Sequence, residues 1–172
     1  LYLNHKSPMI PRKDSEGILA DVSTQSNYPE HRVIATNMLW DLTLMRVGSH
    51  LPDMRLEDER GTAVDSSELL KGPVCIAFTA SWCTYCASEI SSAIKLADEH
   101  KGIVKLLIIS LDRTMEEFKA VRKSLPTSEY VKWVHAVAEQ QLREDLRLRS
   151  LPLFYLLNDD VLARSPAPLP SK

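Results

Sequence analysis

The sequence predicts an α/β fold with a parallel strand–helix–strand unit at its centre, and three observations predict it. Residues 74–80 and 103–109 are short, almost unbroken apolar runs, as strands covered on both faces require. Between them Ala87, Ile90, Ala93, Ile94 and Ala97 recur at helical spacing, so residues 74–109 form a strand–helix–strand unit with a right-handed crossover and a parallel pairing. At the first strand-to-helix junction stands Cys83-Thr84-Tyr85-Cys86, two cysteines separated by two residues. A sulfur placed there can be stabilised as a thiolate, and the disulfide between such a pair can open and close reversibly.

The remaining elements follow in order. Residues 1–46 are an N-terminal extension, irregular at first and then helical. Pro8, Pro11 and Pro29 punctuate its first part, where Asp14 to Val22 makes at most a short helix around Ile18 and Leu19. From Pro29 to Arg46, Val33, Ile34, Met38, Leu42 and Met45 keep helical spacing, with Pro29 at the first position and Gly48 as the stop. The extension reads as a linker with one docked helix, or else as a partner-binding arm. Residues 47–165 form the main domain, and residues 166–172 an irregular tail.

Within the main domain, Leu51 to Leu56 and Thr62 to Val64 are two short strands around a polar turn. Ser66 to Leu70 is a brief helix, capped by Asp65 or Ser66 and closed near Gly72. Asp112 or Thr114 opens a further helix, because Thr114 and Glu117 have the spacing of a capping box. Met115, Phe118, Val121 and Leu125 line one face of that helix before Pro126 ends it. Val131 to Val137 is either a strand or an extended loop, and Glu139 to Leu146 is helical. From Arg149 the chain makes a hairpin through Asn158-Asp159-Asp160, with Pro152 at its entrance. The prolines at 166, 168 and 170 then resist regular structure, and a closing helix is absent or cut off.

Composition excludes several functions. With 21 Lys and Arg against 23 Asp and Glu the formal charge is −2, and no basic stripe marks a nucleic-acid surface. No apolar run is long enough to cross a bilayer. Opening at Leu1 rather than Met, the sequence reads as a processed product or an excised piece of a longer chain, so the absence of a targeting segment or membrane tether from it excludes neither. Three cysteines are too few for a disulfide scaffold, and Cys75, inside an apolar run, reads as a small inert thiol. Zinc is disfavoured, since His5, His31, His50, His100 and His135 supply no second ligand pair to join Cys83 and Cys86.

Cys83, at or just before the first helical turn, is the expected nucleophile, because unpaired N–H groups and the helix dipole favour a thiolate there. Cys86, one turn further in, is the expected resolving thiol. Trp82 packs beside the sulfurs or merely near the sheet edge. Glu89 is either a local acid–base group or a solvated helix carboxylate, and it is the only nearby carboxylate the sequence offers.

In this order the motifs resemble the thioredoxin superfamily and, within it, the TlpA/ResA-type, AhpC/TSA-related thiol–disulfide oxidoreductases. The resemblance covers about Val47 to Arg164. It rests on Gly48 with Pro52-Asp53, on Trp82-Cys83-x-x-Cys86 with Glu89 three residues on, and on Leu151-Pro152. It implies a thioredoxin-like three-layer sandwich, with a central mixed sheet flanked by helices, and a cis-proline at Pro152, whose neighbour Leu151 pairs with an incoming substrate strand. Trp82, Thr84, Tyr85, Leu151 and Pro152 are then the substrate-binding residues, and Cys83, Cys86 and Glu89 the catalytic ones. It further implies no cofactor beyond the redox-active disulfide, a protein disulfide as substrate, and a membrane or thioredoxin-type electron donor. The location implied is the periplasm or cell envelope. Three departures bear on potential and substrate choice: Ala77 stands where thioredoxin has a buried Asp, Thr84-Tyr85 replaces Gly-Pro or Pro-Pro, and Leu151 replaces Thr or Val. A peroxiredoxin-like peroxidase is disfavoured, because the Thr or Ser and the Pro it needs are Ala80 and Ile76. The remaining alternative is a redox-inactive binding module whose disulfide is a clasp.

Overall fold

Two units of the chain, dividing between Ser49 and His50, make up the computed structural model, which describes residues 11–43, 45–146, 148 and 150–171. The irregular reading of residues 1–10, with Pro8, and the Arg149 entry to the hairpin lie outside the described residues.

The first unit contains helices α1 (Arg12–Gln25) and α2 (Pro29–Thr43) packed on each other. α1 is 14 residues long, so the expectation of at most a short helix is corrected. Alone such a segment is marginal; a partner helix makes the difference. Leu19 of α1 and Ala35 of α2 are buried, Glu16 pairs with Arg46 at 3.5 Å, and the hydroxyls of Ser23 and Thr24 donate to the Ala20 carbonyl. Pro29 does open α2, but Val33 and Ile34 are exposed. The buried position is the small Ala35, which permits close approach of two backbones where branched side chains would not.

The second unit is built on a seven-stranded mixed sheet of order β2-β1-β5-β4-β3-β6-β7. Its strands are β1 (Leu56–Glu57), β2 (Ala63–Val64), β3 (Pro73–Thr79), β4 (Lys105–Ser110), β5 (Val131–Ala136), β6 (Leu153–Asn158) and β7 (Val161–Arg164). The helices are α3 (Ser66–Leu69), α4 (Cys86–Glu99), α5 (Met115–Ser124) and α6 (Glu139–Asp145). The pairings β3–β4 and β4–β5 are parallel, while β6 lies antiparallel on the other side of β3. Residues 131–136, ambiguous in sequence, are thus a strand, because β4 offers them a parallel edge.

On one face Ala77, Ile108, Trp133 and Phe154 share a core with Ile90 and Ile94 of α4 and Phe118 of α5. The alternate residues Ile76, Phe78, Leu107, Ile109 and Val134 point the opposite way and are also buried, so both faces are covered and the fold is thioredoxin-like. Asp65 caps α3 by accepting from the Ser67 amide at 2.8 Å. Thr114, not Asp112, caps α5: its hydroxyl accepts from the Glu117 amide, and the Glu117 carboxylate accepts from the Thr114 amide. Ala87 is exposed, and the buried stripe of α4 starts instead at Cys86. Ile103 and Val104 are exposed too, and β4 begins at Lys105, after a turn in which Gly102 has φ +66°.

A Cβ on Gly102 would stand within contact distance of Tyr130, 3.0 Å from ring atom Cγ. Gly102→Ala is expected to lower stability by about 1–2 kcal/mol from the left-handed backbone alone, read as a lower urea midpoint at unchanged slope. The hairpin β6–β7 turns through Asp159 and Asp160, both with positive φ, as a two-residue connection requires. After it, residues 165–171 form no helix; the Ala167 amide donates to the Phe154 carbonyl at 2.7 Å, and Ala167 and Leu169 pack on the core.

Candidate active site

β3 runs out at Thr79, where its carbonyl accepts from the Leu111 amide at 2.8 Å. The chain then turns tightly through Ala80-Ser81-Trp82-Cys83, closed by the Cys83 amide donating to Ala80 at 3.1 Å. A second turn, Cys86 amide to Cys83 carbonyl at 3.2 Å, delivers the backbone into α4. Cys83 therefore sits just ahead of the helix and Cys86 is its first residue. The two sulfurs form a disulfide, with Cα atoms 5.4 Å apart. Cys86 is 2% exposed whereas Cys83 is only half-buried, so the pair presents one cysteine to visitors and hides the other. The opening N–H groups of α4 lack intrahelical acceptors and place partial positive charge at this end.

Trp82, Thr84 and Tyr85 surround the pair on the outside; Trp82 is 56% and Tyr85 76% exposed. Trp82 does not turn inward. Its ring is covered by the Arg143 guanidinium of α6 at 5.3 Å, a cation–π contact that brings a positive charge to the rim. Arg143 was missed in the sequence because nothing in its spacing ties α6 to residue 82. Leu151–Pro152 is a cis peptide, and both residues are half-buried. The register pairs Leu153 with Phe78, so Pro152 lies beside Thr79 at the end of the sheet that carries the cysteines.

Glu89 lies one turn beyond Cys86, half-buried, and both its oxygens are occupied by the tail: Oε1 accepts from the Ser171 hydroxyl at 2.6 Å and Oε2 from the Ser171 amide at 3.2 Å. Nor is it the only carboxylate near the pair, as the sequence reading had it. Asp112, 1% exposed, reaches the turn itself, with Oδ1 accepting from the Ser81 amide at 2.7 Å. Its position directly after an apolar parallel strand was the available signal, since site residues gather at the carboxyl ends of such strands. Among the described residues no group of three or more His, Cys, Asp or Glu is placed to hold a metal ion.

Cys75, in the middle of β3, is the free thiol, and burial pushes it up to about 11. In the reduced protein at pH 8, Cys75 is expected to stay unlabelled by iodoacetamide while Cys83 reacts first, which peptide mass mapping over time will read.

Residues 47–138, more than half of the chain, match the AhpC/TSA family. The chain belongs to the AhpC/TSA family. Comparison with curated proteins gives no match for this family member. Among solved structures it is similar to a thioredoxin-like protein from Bacteroides caccae, with TM-score 0.70 and 16% identity over 96% of this chain. The chain spans 62% of the length of that protein. It is also similar to the thioredoxin domain of a thiol-disulfide oxidoreductase from Bacteroides vulgatus, with TM-score 0.60 and 16% identity over 72% of this chain and 89% of the other. A thiol:disulfide interchange protein from Bacteroides sp. is similar at TM-score 0.60 and 17% identity, over 70% of this chain and 83% of that one. At such identities the likeness is one of fold, and in this AhpC/TSA-family chain the thioredoxin-like fold and a cysteine pair at the mouth of α4 occur together.

Proposed function

We propose that this chain is a thiol–disulfide oxidoreductase that reduces protein disulfides through the Cys83–Cys86 pair. The observation that carries it is the unequal burial of the two cysteines, half-buried Cys83 and hidden Cys86, at the positive end of α4. In the reduced enzyme the Cys83 thiolate attacks one sulfur of a substrate disulfide. A Cys83–substrate S–S bond forms, and the substrate's own S–S bond breaks; its departing thiolate takes a proton. The Cys86 thiolate then attacks Cys83 Sγ, giving the Cys83–Cys86 disulfide and releasing the second substrate thiol. The substrate gains two electrons and two protons, and the pair is oxidised until an external dithiol, membrane-held or thioredoxin-type, restores it.

The exposed faces of Trp82, Thr84 and Tyr85, with the backbone at Leu151–Pro152, are the surface against which a substrate strand lies. Glu89 serves as the proton-relaying carboxylate when the tail's Ser171 releases it. A working place in the periplasm or cell envelope accords with these roles. The test is reduction of insulin by dithiothreitol, followed by turbidity. The protein is expected to shorten the lag at micromolar concentration; no acceleration over dithiothreitol alone would sink the assignment and leave the disulfide as a structural clasp.

A further inference from the structure

We propose that Asp112 is a positioning residue for the cysteine pair: its buried carboxylate anchors the Ala80–Cys83 turn to the end of β4 through the Ser81 amide. This role presupposes that Cys83 and Cys86 are the redox couple described above. Asp112 is 1% exposed, and a charge so placed requires that its oxygens be occupied. Oδ1 accepts from the Ser81 amide at 2.7 Å, and Oδ2 from the hydroxyl of Ser110, fully buried, at 2.7 Å. The same hydroxyl accepts from the Asp112 amide at 3.1 Å, which closes a small ring and fixes the carboxylate's direction.

The backbone of this segment is held independently. The Leu111 amide continues the ladder to Thr79, and the Asp112 carbonyl accepts from His135 Nε2 at 2.9 Å. His135 is in turn held by Glu57, 2.8 Å from Nδ1, and by Phe118, stacked on its ring at 5.5 Å. One end of the link is therefore fixed by β3, β4, β5 and β1. The other end is the amide two residues ahead of Cys83. Amide-to-carboxylate bonds are charge-assisted and stronger than neutral ones. When the Cys83–Cys86 bond opens, the covalent tie across the second turn is lost, and the Ser81 link adds to the two backbone turn bonds, at Ala80 and Cys83, that keep Cys83 at the mouth of α4. There the dipole of α4 and its opening N–H groups stabilise its thiolate.

The test compares the full chain with Asp112→Ala and Asp112→Asn, all in the reduced state. Amide exchange at Ser81 is expected to speed up on the order of 10- to 100-fold in Asp112→Ala, the weight of a hydrogen bond to a charged group. Cys83 alkylation at neutral pH should slow, and the equilibrium constant with glutathione should shift, each by at least ~3-fold. Asp112→Asn keeps an oxygen facing Ser81 and should restore its amide protection. An Asp112→Ala protein that is less stable overall yet matches the wild type in Cys83 alkylation and in the glutathione equilibrium would overturn the assignment. Should that variant not fold, the unmutated protein decides: a Ser81 amide exchanging at the open-chain rate in the folded, reduced state also overturns it. If the protein fails to accelerate insulin reduction, the redox assignment falls, while exchange and alkylation still decide the positioning role separately.

Discussion

Reduced Cys86→Ser is expected to accumulate a long-lived mixed disulfide with insulin chains, while Cys83→Ser reduces no more insulin than dithiothreitol alone. The two variants differ because the sulfurs occupy different places. Cys83 is half-buried on the turn before α4 and is the one a visiting disulfide can meet; Cys86, 2% exposed, is reached only from within. Remove the inner thiol and the first exchange still occurs, but nothing attacks Cys83 Sγ to release the product. Remove the outer thiol and the first exchange has no nucleophile. Mass spectrometry under non-reducing conditions will show the adduct in the one case and its absence in the other. Equal trapping by both variants would show that access is symmetric, and the ordered mechanism would be wrong.

Phe118→Ala should cost about 3–5 kcal/mol of stability, a large part of the roughly 5–15 kcal/mol that a domain possesses. Its ring is fully buried, belongs to the core with Ala77, Ile108 and Trp133, and stacks on His135 at 5.5 Å. Deleting it leaves a cavity between α5 and the sheet, lined by rigid strand side chains that have little freedom to collapse inward. The measurement is a urea titration, with the midpoint falling in proportion. A loss below ~1 kcal/mol would mean that α5 settles onto the sheet after the truncation and that the core there is looser than it looks.

The architecture was legible in the sequence wherever burial leaves a periodic trace. Strand β3, the stripe of α4 from Ile90 to Ala97, the capping box at Thr114 and the Asp159-Asp160 turn each carry their instructions locally, in apolar period, cap chemistry or tolerance of positive φ. The cysteine pair was legible for the same reason, since its spacing and its place at a strand end fit within one short segment. α1 was underestimated because its length depends on a partner helix rather than on its own weak apolar pattern, and burial in α2 fell on Ala35 because packing selects for close approach as well as for hydrophobicity.

What the sequence by itself determined is the α/β sandwich, the pair Cys83 and Cys86, and the order of the motifs around them. Only the tertiary structure decided which charged groups attend that pair. Asp112 is 31 residues from Ser81, Arg143 lies on a helix far along the chain from Trp82, and Ser171 is 82 residues from Glu89. Contacts across such separations are set by sheet register and by the ends at which loops meet, and no local period in the chain records them.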